Sequence, residues 1–176
     1  MSSRFERVGG ETKYEGKVFT VVEETFHHED GKEVTRDIVR NQGAVGVVAH
    51  DGERIYLVRQ PREAVGAPDL LELPAGKLDV EGEEPLETAK RELAEEIGKA
   101  AEHWQHLHSF YTSPGFTDEE CHVYLATGLS DAEAETDEHE RIDIETRPLS
   151  ELDALIDEVH DAKTLIGLLE LRRRRR

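Results

Sequence analysis

The run Gly76–Gly98, GKLDVEGEEPLETAKRELAEEIG, constrains this chain more than any other segment. Within it, Arg91-Glu92-Leu93-Ala94-Glu95-Glu96-Ile97-Gly98 reads as the end of a helix, with Gly98 as its C-cap. On a helix, Glu92, Glu95 and Glu96 stand at i, i+3 and i+4 and crowd onto one face. They also fall at the negative end of the helix dipole. Each like-charged pair at this spacing costs about 0.2–0.5 kcal/mol, and the dipole adds a similar amount. Either solvent and salt screen these carboxylates, or a hard cation gathers them. Closely spaced carboxylates are the oxygen ligands that Mg²⁺ or Mn²⁺ prefers. With 40 Asp and Glu in 176 residues, adjacent glutamates also arise by chance, so the pair alone leaves both readings open.

The flanking residues fit a helix at the edge of a core. Pro85 suits the first turn, and Glu83, Glu84 and Glu87 place negative charge where the dipole favours it. Leu86, Ala89, Leu93 and Ile97 form one apolar stripe, and the glutamates flank it, where a cleft is expected. Arg91 stands four residues before Glu95 and is placed to pair with it. Upstream, Leu70–Leu73 reads as a short apolar strand ending in a Pro74-Ala75-Gly76 turn. A glycine there lets a backbone carbonyl approach a ligand closely.

Elsewhere the pattern alternates between strands and turns. Strands are expected over 16–28, 33–41, 43–50 and 54–60, with Asp30-Gly31 and Asp51-Gly52 as hairpin turns. Further strands are expected over 102–111, 120–127 and 141–147. Ser150 reads as the cap of one late helix and Asp161 as the cap of another over 162–172. His103, His106 and His108 lie on a strand, where they lack a further ligand for a transition metal. Strands with two separated helical regions imply an α/β or α+β sandwich.

Charge and composition bound the partners. The net charge is −18, and the five terminal arginines add +5, which leaves −23 on the first 171 residues. Such a surface repels itself at low ionic strength. Halophilic adaptation to a salty cytoplasm and an ordinary acidic surface are the two readings. The balance argues against nucleic acid and membrane surfaces as partners, and Arg172–Arg176 reads as a helix-end cation cluster or a source of salt bridges. No segment is apolar enough to span a membrane, and the N-terminus lacks a signal-peptide core. The lone cysteine, Cys121, excludes an internal disulfide, so a cytoplasmic location is expected.

The Gly76–Gly98 segment resembles the Nudix box, G-x5-E-x7-R-E-U-x-E-E-x-G-U, with U an apolar residue. Glu83, Arg91, Glu92, Leu93, Glu95, Glu96 and Gly98 fall in register. Six residues rather than five separate Gly76 from Glu83, and Lys99 stands at the last apolar position. The segments at 14–19, 43–45, 59–62, 71–76, 111–116 and 161–165 resemble the ADP-ribose pyrophosphatase branch of that family. Pro114, sixteen residues after Gly98, has the spacing of that branch, whereas Pro61 stands where the branch more often has an aromatic residue.

The resemblance implies an α/β fold: a Nudix-type α/β/α sandwich with a mixed sheet, preceded by a small antiparallel N-terminal sheet. It implies a dimerisation lobe over 1–42 and the hydrolase domain over 43–176. It implies a homodimer that hydrolyses the diphosphate of ADP-ribose to AMP and ribose 5-phosphate, using Mg²⁺ or Mn²⁺. Glu92 and Glu96 are then the principal metal ligands, Glu95 assists, and the Ala75 carbonyl completes a site. Glu83 and Arg91 hold the loop and helix in position. A general base is expected from the acidic loop, at Glu138 or Glu140. Arg62 is either a phosphate clamp or a surface ion pair, with Glu72 as an anchor for an arginine. Arg59, Pro114 and Gly115 complete the substrate-binding set. A Nudix hydrolase for another nucleoside diphosphate derivative and a non-catalytic nucleotide sensor are the competing functions.

Overall fold

The computed structural model describes residues 4–133 and 141–175. It divides into two compact units, one of residues up to Gly43 together with Tyr111–Glu120, the other of Ala44–Phe110 and Cys121 onward. The first unit therefore takes in a segment far along the chain as well as the expected N-terminal lobe.

The first unit is built on an antiparallel sheet, β1 (Phe5–Glu15), β2 (Thr20–His28) and β3 (Glu33–Arg40), in that spatial order. Gly31, at φ +80°, makes the β2–β3 turn, as Asp30-Gly31 implied. The expected strand over 16–28 begins only at Thr20, because Gly16 N–H closes a turn onto the Phe19 carbonyl at 3.0 Å. Strand β1 has no counterpart in the sequence reading. Its residues, FERVGGETKYE, carry no alternation, and nearly all are exposed. It forms by backbone pairing with β2, and register shifts at Arg7/Gly9 and Thr12/Tyr14 accommodate it. Glu24, on β2, is buried and is paired with Arg7 at 2.8 Å and Arg40 at 2.6 Å. The distant segment joins through Val39 N–H to the Phe116 carbonyl at 2.8 Å and Asn41 N–H to Asp118 at 2.9 Å.

The second unit is a seven-stranded mixed sheet with helices on both faces. Its strands are β4 (Ala44–His50), β5 (Arg54–Arg62), β6 (Ala67–Glu72), β7 (Ala75–Lys77), β8 (Lys99–Tyr111), β9 (Glu120–Asp131) and β10 (Asp143–Pro148). The order is β10-β5-β4-β9-β8, with β6 added to β5 and β7 added to β4. Strands β4 and β9 are parallel, and β4 pairs antiparallel with β5 and β7. The apolar run of β4 is buried on both faces, which makes it the central strand.

Helix α1 (Pro85–Ile97) covers one face, packing Ala89, Leu93 and Ile97 against Val45, Val47 and Val58. Helices α2 (Leu152–Glu158) and α3 (Ala162–Arg175) cover the other, packing Leu155, Leu168 and Leu171 against Val48, Leu57 and Leu73. The result is the α/β/α sandwich. Ser150 does not cap α2. It lies in a 3₁₀ turn, Leu149–Glu151, fixed by burial of Leu149 and by its N–H on the Glu53 carbonyl at 2.7 Å. Asp161 does cap α3, accepting from Thr164 N–H at 2.8 Å. Arg172 meets Asp153 at 3.2 Å and Arg173 meets Glu170 at 2.8 Å, so these arginines form salt bridges within their own unit. Among the described residues no helix is long and apolar enough to cross a membrane.

Helix α3 lies close to the sheet at Gly167, where a Cβ would sit 2.7 Å from both Leu73 and Val48. Gly167→Ala is expected to overpack this contact and lower the unfolding free energy by about 1–3 kcal/mol. Denaturant titration in high salt reads the loss; wild-type stability would show that Leu73 and Val48 yield without cost.

Candidate active site

Beside the apolar stripe of α1 runs a second buried row, Thr88, Glu92 and Glu96, spaced by one turn. Glu92 is 9% exposed and Glu96 8%. Burying two carboxylates is costly unless each has partners. Strand β7 supplies them. Ala75 N–H donates to Glu96 Oε2 at 2.8 Å. At Gly76 a Cβ would fall 1.9 Å from Glu92 Cδ, so only a glycine lets that carboxylate lie against the strand. Gly76 thus makes room for a side chain of the protein itself. Strand β7 is held in turn by β4, through the pairs Val45–Gly76 and Gly46–Ala75 and the Val47 N–H bond to the Pro74 carbonyl at 2.8 Å.

Arg91 ties the loop and helix together. Its Nη1 donates to Glu92 at 2.8 Å and Glu95 at 3.0 Å, and its Nη2 to Glu83 at 3.3 Å. Asp79 lies 3.8 Å away. Partial burial opposes the charge, but the Glu83 hydrogen bond and the charges of Glu92, Glu95 and Glu83 raise the guanidinium pKa well above its usual value. Glu83 also accepts from Thr88 Oγ1 at 2.8 Å, and its bonds to Thr88 and Arg91 lower its pKa. Thr88 is a member of this network that the sequence reading missed. The extra loop residue is absorbed in a turn, where Glu83 N–H meets the Val80 carbonyl at 3.1 Å and Gly82 has φ +79°. Glu83 consequently still reaches Arg91. Lys99, at the last apolar position of the box, bonds to Asp131, and its ammonium lies 5.8 Å from the centre of the Tyr56 ring.

Arg62 grips the fully buried Glu72 with a two-pronged bond, Nε to Oε1 at 2.7 Å and Nη2 to Oε2 at 2.8 Å. That bond raises its pKa most; burial opposes, and the charges of Glu72, Glu96 and Asp161 add to the rise. Arg62 thus stands near the α1 carboxylates. Arg59 does not belong to this group: it is taken up by Glu145, Glu158 at 3.4 Å and Asp69 at 3.7 Å. Pro114 and Gly115 belong to the first unit, where they line a cleft of about 420 Å³ with Arg36, Arg40, Tyr111 and Phe116. Glu138 and Glu140 lie outside the described residues. His106 and His122 both hydrogen-bond Ser109 Oγ at 2.8 Å, so one strand histidine is tied across to β9.

Among the described residues no three His, Cys, Asp or Glu side chains already surround one point. The buried carboxylates here are Glu92 and Glu96, with Glu95 held beside Glu92 by Arg91. This suits a small hard cation, which takes one or two carboxylates and completes its shell with water or phosphate oxygens. Gly76→Ala removes the room for the Glu92 carboxylate. Mn²⁺ binding is expected to weaken about 10–100-fold while circular dichroism is retained. Wild-type affinity in that titration would show that Glu92 does not depend on the contact.

The NUDIX domain model matches residues 40–168. A protein of Mycobacterium tuberculosis named ADP-ribose pyrophosphatase is 44% identical over 141 residues, 80% of this chain and 68% of its own length. One of Bacillus subtilis with the same name is 40% identical over 166 residues, 92% of this chain and 89% of its own. A crystal structure of an ADP compounds hydrolase superposes with a TM-score of 0.86 at 23% identity, covering 97% of this chain and 94% of that one, and shows the same fold. The family match spans the whole α1 carboxylate site and most of the sandwich that carries it, and this protein belongs to the NUDIX family.

Proposed function

We propose that this protein hydrolyses the diphosphate of ADP-ribose to AMP and ribose 5-phosphate, with Mg²⁺ or Mn²⁺ at Glu92 and Glu96. The observation that carries the reading is the docking of these two carboxylates onto Gly76 and Ala75. The names of the two bacterial relatives support the choice of substrate. A non-catalytic sensor would have no need to keep Glu83, Arg91, Glu92, Glu95 and Glu96 in one hydrogen-bonded arrangement.

The chemistry follows from the charges. A diphosphate is anionic, and the α1 face would repel it. When bound, a divalent cation neutralises the diphosphate and activates the attacking water. Glu92 and Glu96 would hold that cation, Glu95 would assist, and the Ala75 carbonyl would complete a site. Arg91 keeps three carboxylates in register that would otherwise push apart. Glu72 fixes Arg62 through Nε and Nη2, which leaves Nη1 to reach a phosphate oxygen. The attacking water needs a base, and Glu138 or Glu140 is the residue proposed for it. Within the first unit, the cleft at Pro114 and Gly115 carries exposed rings, Tyr111 and Phe116, and two arginines, a lining that suits a nucleoside.

The same reading extends to the assembly and setting. Phe5, Val8, Tyr14, Val18 and Phe19 are exposed on the N-terminal unit, which supports a homodimer formed there. The lone cysteine and the −18 net charge support a reducing cytoplasm of high salt. Stability and activity are expected to rise together from low to molar salt. Salt-independent unfolding would refute the halophilic part alone.

The test is turnover of a panel of nucleoside diphosphate sugars with Mg²⁺, with and without chelator, the products identified by chromatography. ADP-ribose is expected to be preferred, with chelator-sensitive release of AMP. Glu96→Gln is expected to lower kcat by at least about a hundredfold. Preference for another member of the panel would discard the substrate and keep the site; silence across it would discard the enzyme.

A further inference from the structure

Thr88 is a polar side chain where alanine would suit the helix better. It lies in the buried row with Glu92 and Glu96 and is fully shielded from solvent. A β-branched residue is a weaker helix former than alanine, and a buried hydroxyl costs stability unless it is hydrogen-bonded. The hydroxyl donates to Glu83 Oε2 at 2.8 Å. The same oxygen accepts from Arg91 Nη2 at 3.3 Å, the longer of the two bonds.

The spacing of this pair has a physical meaning. Helix α1 starts at Pro85 with Glu84 as its N-cap, and the Glu84 side chain makes no capping bond. Glu83 is then the residue before the cap, and Thr88 is the fourth residue of the helix. At these two positions an apolar pair commonly packs and fixes the angle at which the chain enters. Here a hydrogen bond takes the place of that apolar contact. Glu83 N–H also closes a turn on the Val80 carbonyl at 3.1 Å, so loop and helix each hold Glu83 at one point. Unlike an apolar staple, this one ends in a carboxylate, and that carboxylate meets Arg91.

From Glu83 the order passes along Arg91. Its Nη1 reaches Glu92 Oε1 at 2.8 Å and Glu95 Oε2 at 3.0 Å, while Nη2 is turned to Glu83. A guanidinium is planar, so a group that fixes Nη2 also fixes the direction of Nη1. The Thr88 bond does most to lower the pKa of Glu83, which favours the charged carboxylate opposite Arg91. We propose that Thr88 is a positioning residue of the site: through its polar staple to Glu83 it sets the plane of Arg91, and through Arg91 the Glu92 and Glu95 carboxylates. The inference rests on the cation site proposed above at Glu92 and Glu96.

The experiment uses the full chain in molar salt and compares Thr88→Val, Thr88→Ser and Glu83→Ala, the last alone and combined with Thr88→Val. Valine keeps the size of threonine and removes the donor; serine keeps the donor and removes the methyl. Mn²⁺ affinity, read by electron paramagnetic resonance, is expected to fall about tenfold in Thr88→Val. Thr88→Ser is expected to restore most of it. With Glu83→Ala already present, Thr88→Val is expected to cost less than about twofold more, because its acceptor is gone. Wild-type affinity in Thr88→Val would overturn the proposal. So would an equal fall in Thr88→Ser, the mark of lost packing, or an undiminished loss on top of Glu83→Ala. Should the valine variant not fold, Thr88→Ala against Thr88→Ser isolates the hydroxyl in its place. The metal-free protein gives a second reading. Amide exchange over 79–83 is expected to quicken about tenfold in Thr88→Val, the size of a lost hydrogen bond to a charged group. Wild-type exchange there would overturn the proposal. If the wild type binds no Mn²⁺, the cation site fails separately, and exchange in this loop decides the role of Thr88.

Discussion

The seating of two α1 carboxylates against strand β7 is the interaction on which the rest of this structure depends. Glu92 and Glu96 are buried at the wrong end of a helix dipole, beside further negative charge. Left to themselves they would leave the interface. The Ala75 N–H holds one, the bare Cα of Gly76 makes room for the other, and Arg91 spans Glu92, Glu95 and Glu83. Strand β7 can do this because it is short and firmly paired to β4, the most deeply buried strand. The core therefore acts directly on the chemistry: β4 fixes β7, and β7 fixes the carboxylates.

The second face of the sheet reaches the same place by another route. Asp161 caps α3 and anchors Thr164, which binds the backbone at Leu73. Gly167 lets the helix lie close over Leu73 and Val48. A cap that seemed to serve only its own helix thus ties α3 to the segment leading into β7. Arg62 and the buried Glu72 complete the surroundings from β5 and β6. Glu96 and Arg62 are thus each oriented by a hydrogen-bonding partner rather than by packing alone.

Much of this was legible in the sequence, for stated reasons. The α1 helix, its Gly98 cap and its apolar stripe follow from periodicity, and the structure has all three. The apolar run over 43–50 suited a buried strand, and β4 is one. Other features left no local trace. Strand β1 has no alternation to detect, since it exists by pairing across a sheet with few buried side chains. The joining of 111–120 to the N-terminal unit depends on contacts some seventy-eight positions apart, such as Asn41 with Glu119. Glu92 and Glu96 read as flanking the apolar stripe, and only the fit to Gly76 and Ala75 shows why they are buried.

The central claim is that the Glu92 and Glu96 carboxylates, presented by β7, are where a divalent cation sits. Crystals soaked in Mn²⁺ and measured at an anomalous wavelength test it most directly. The account predicts a peak within about 2.0–2.6 Å of oxygens from both carboxylates. A peak elsewhere on the acidic surface, with these two carboxylates bare, would contradict it.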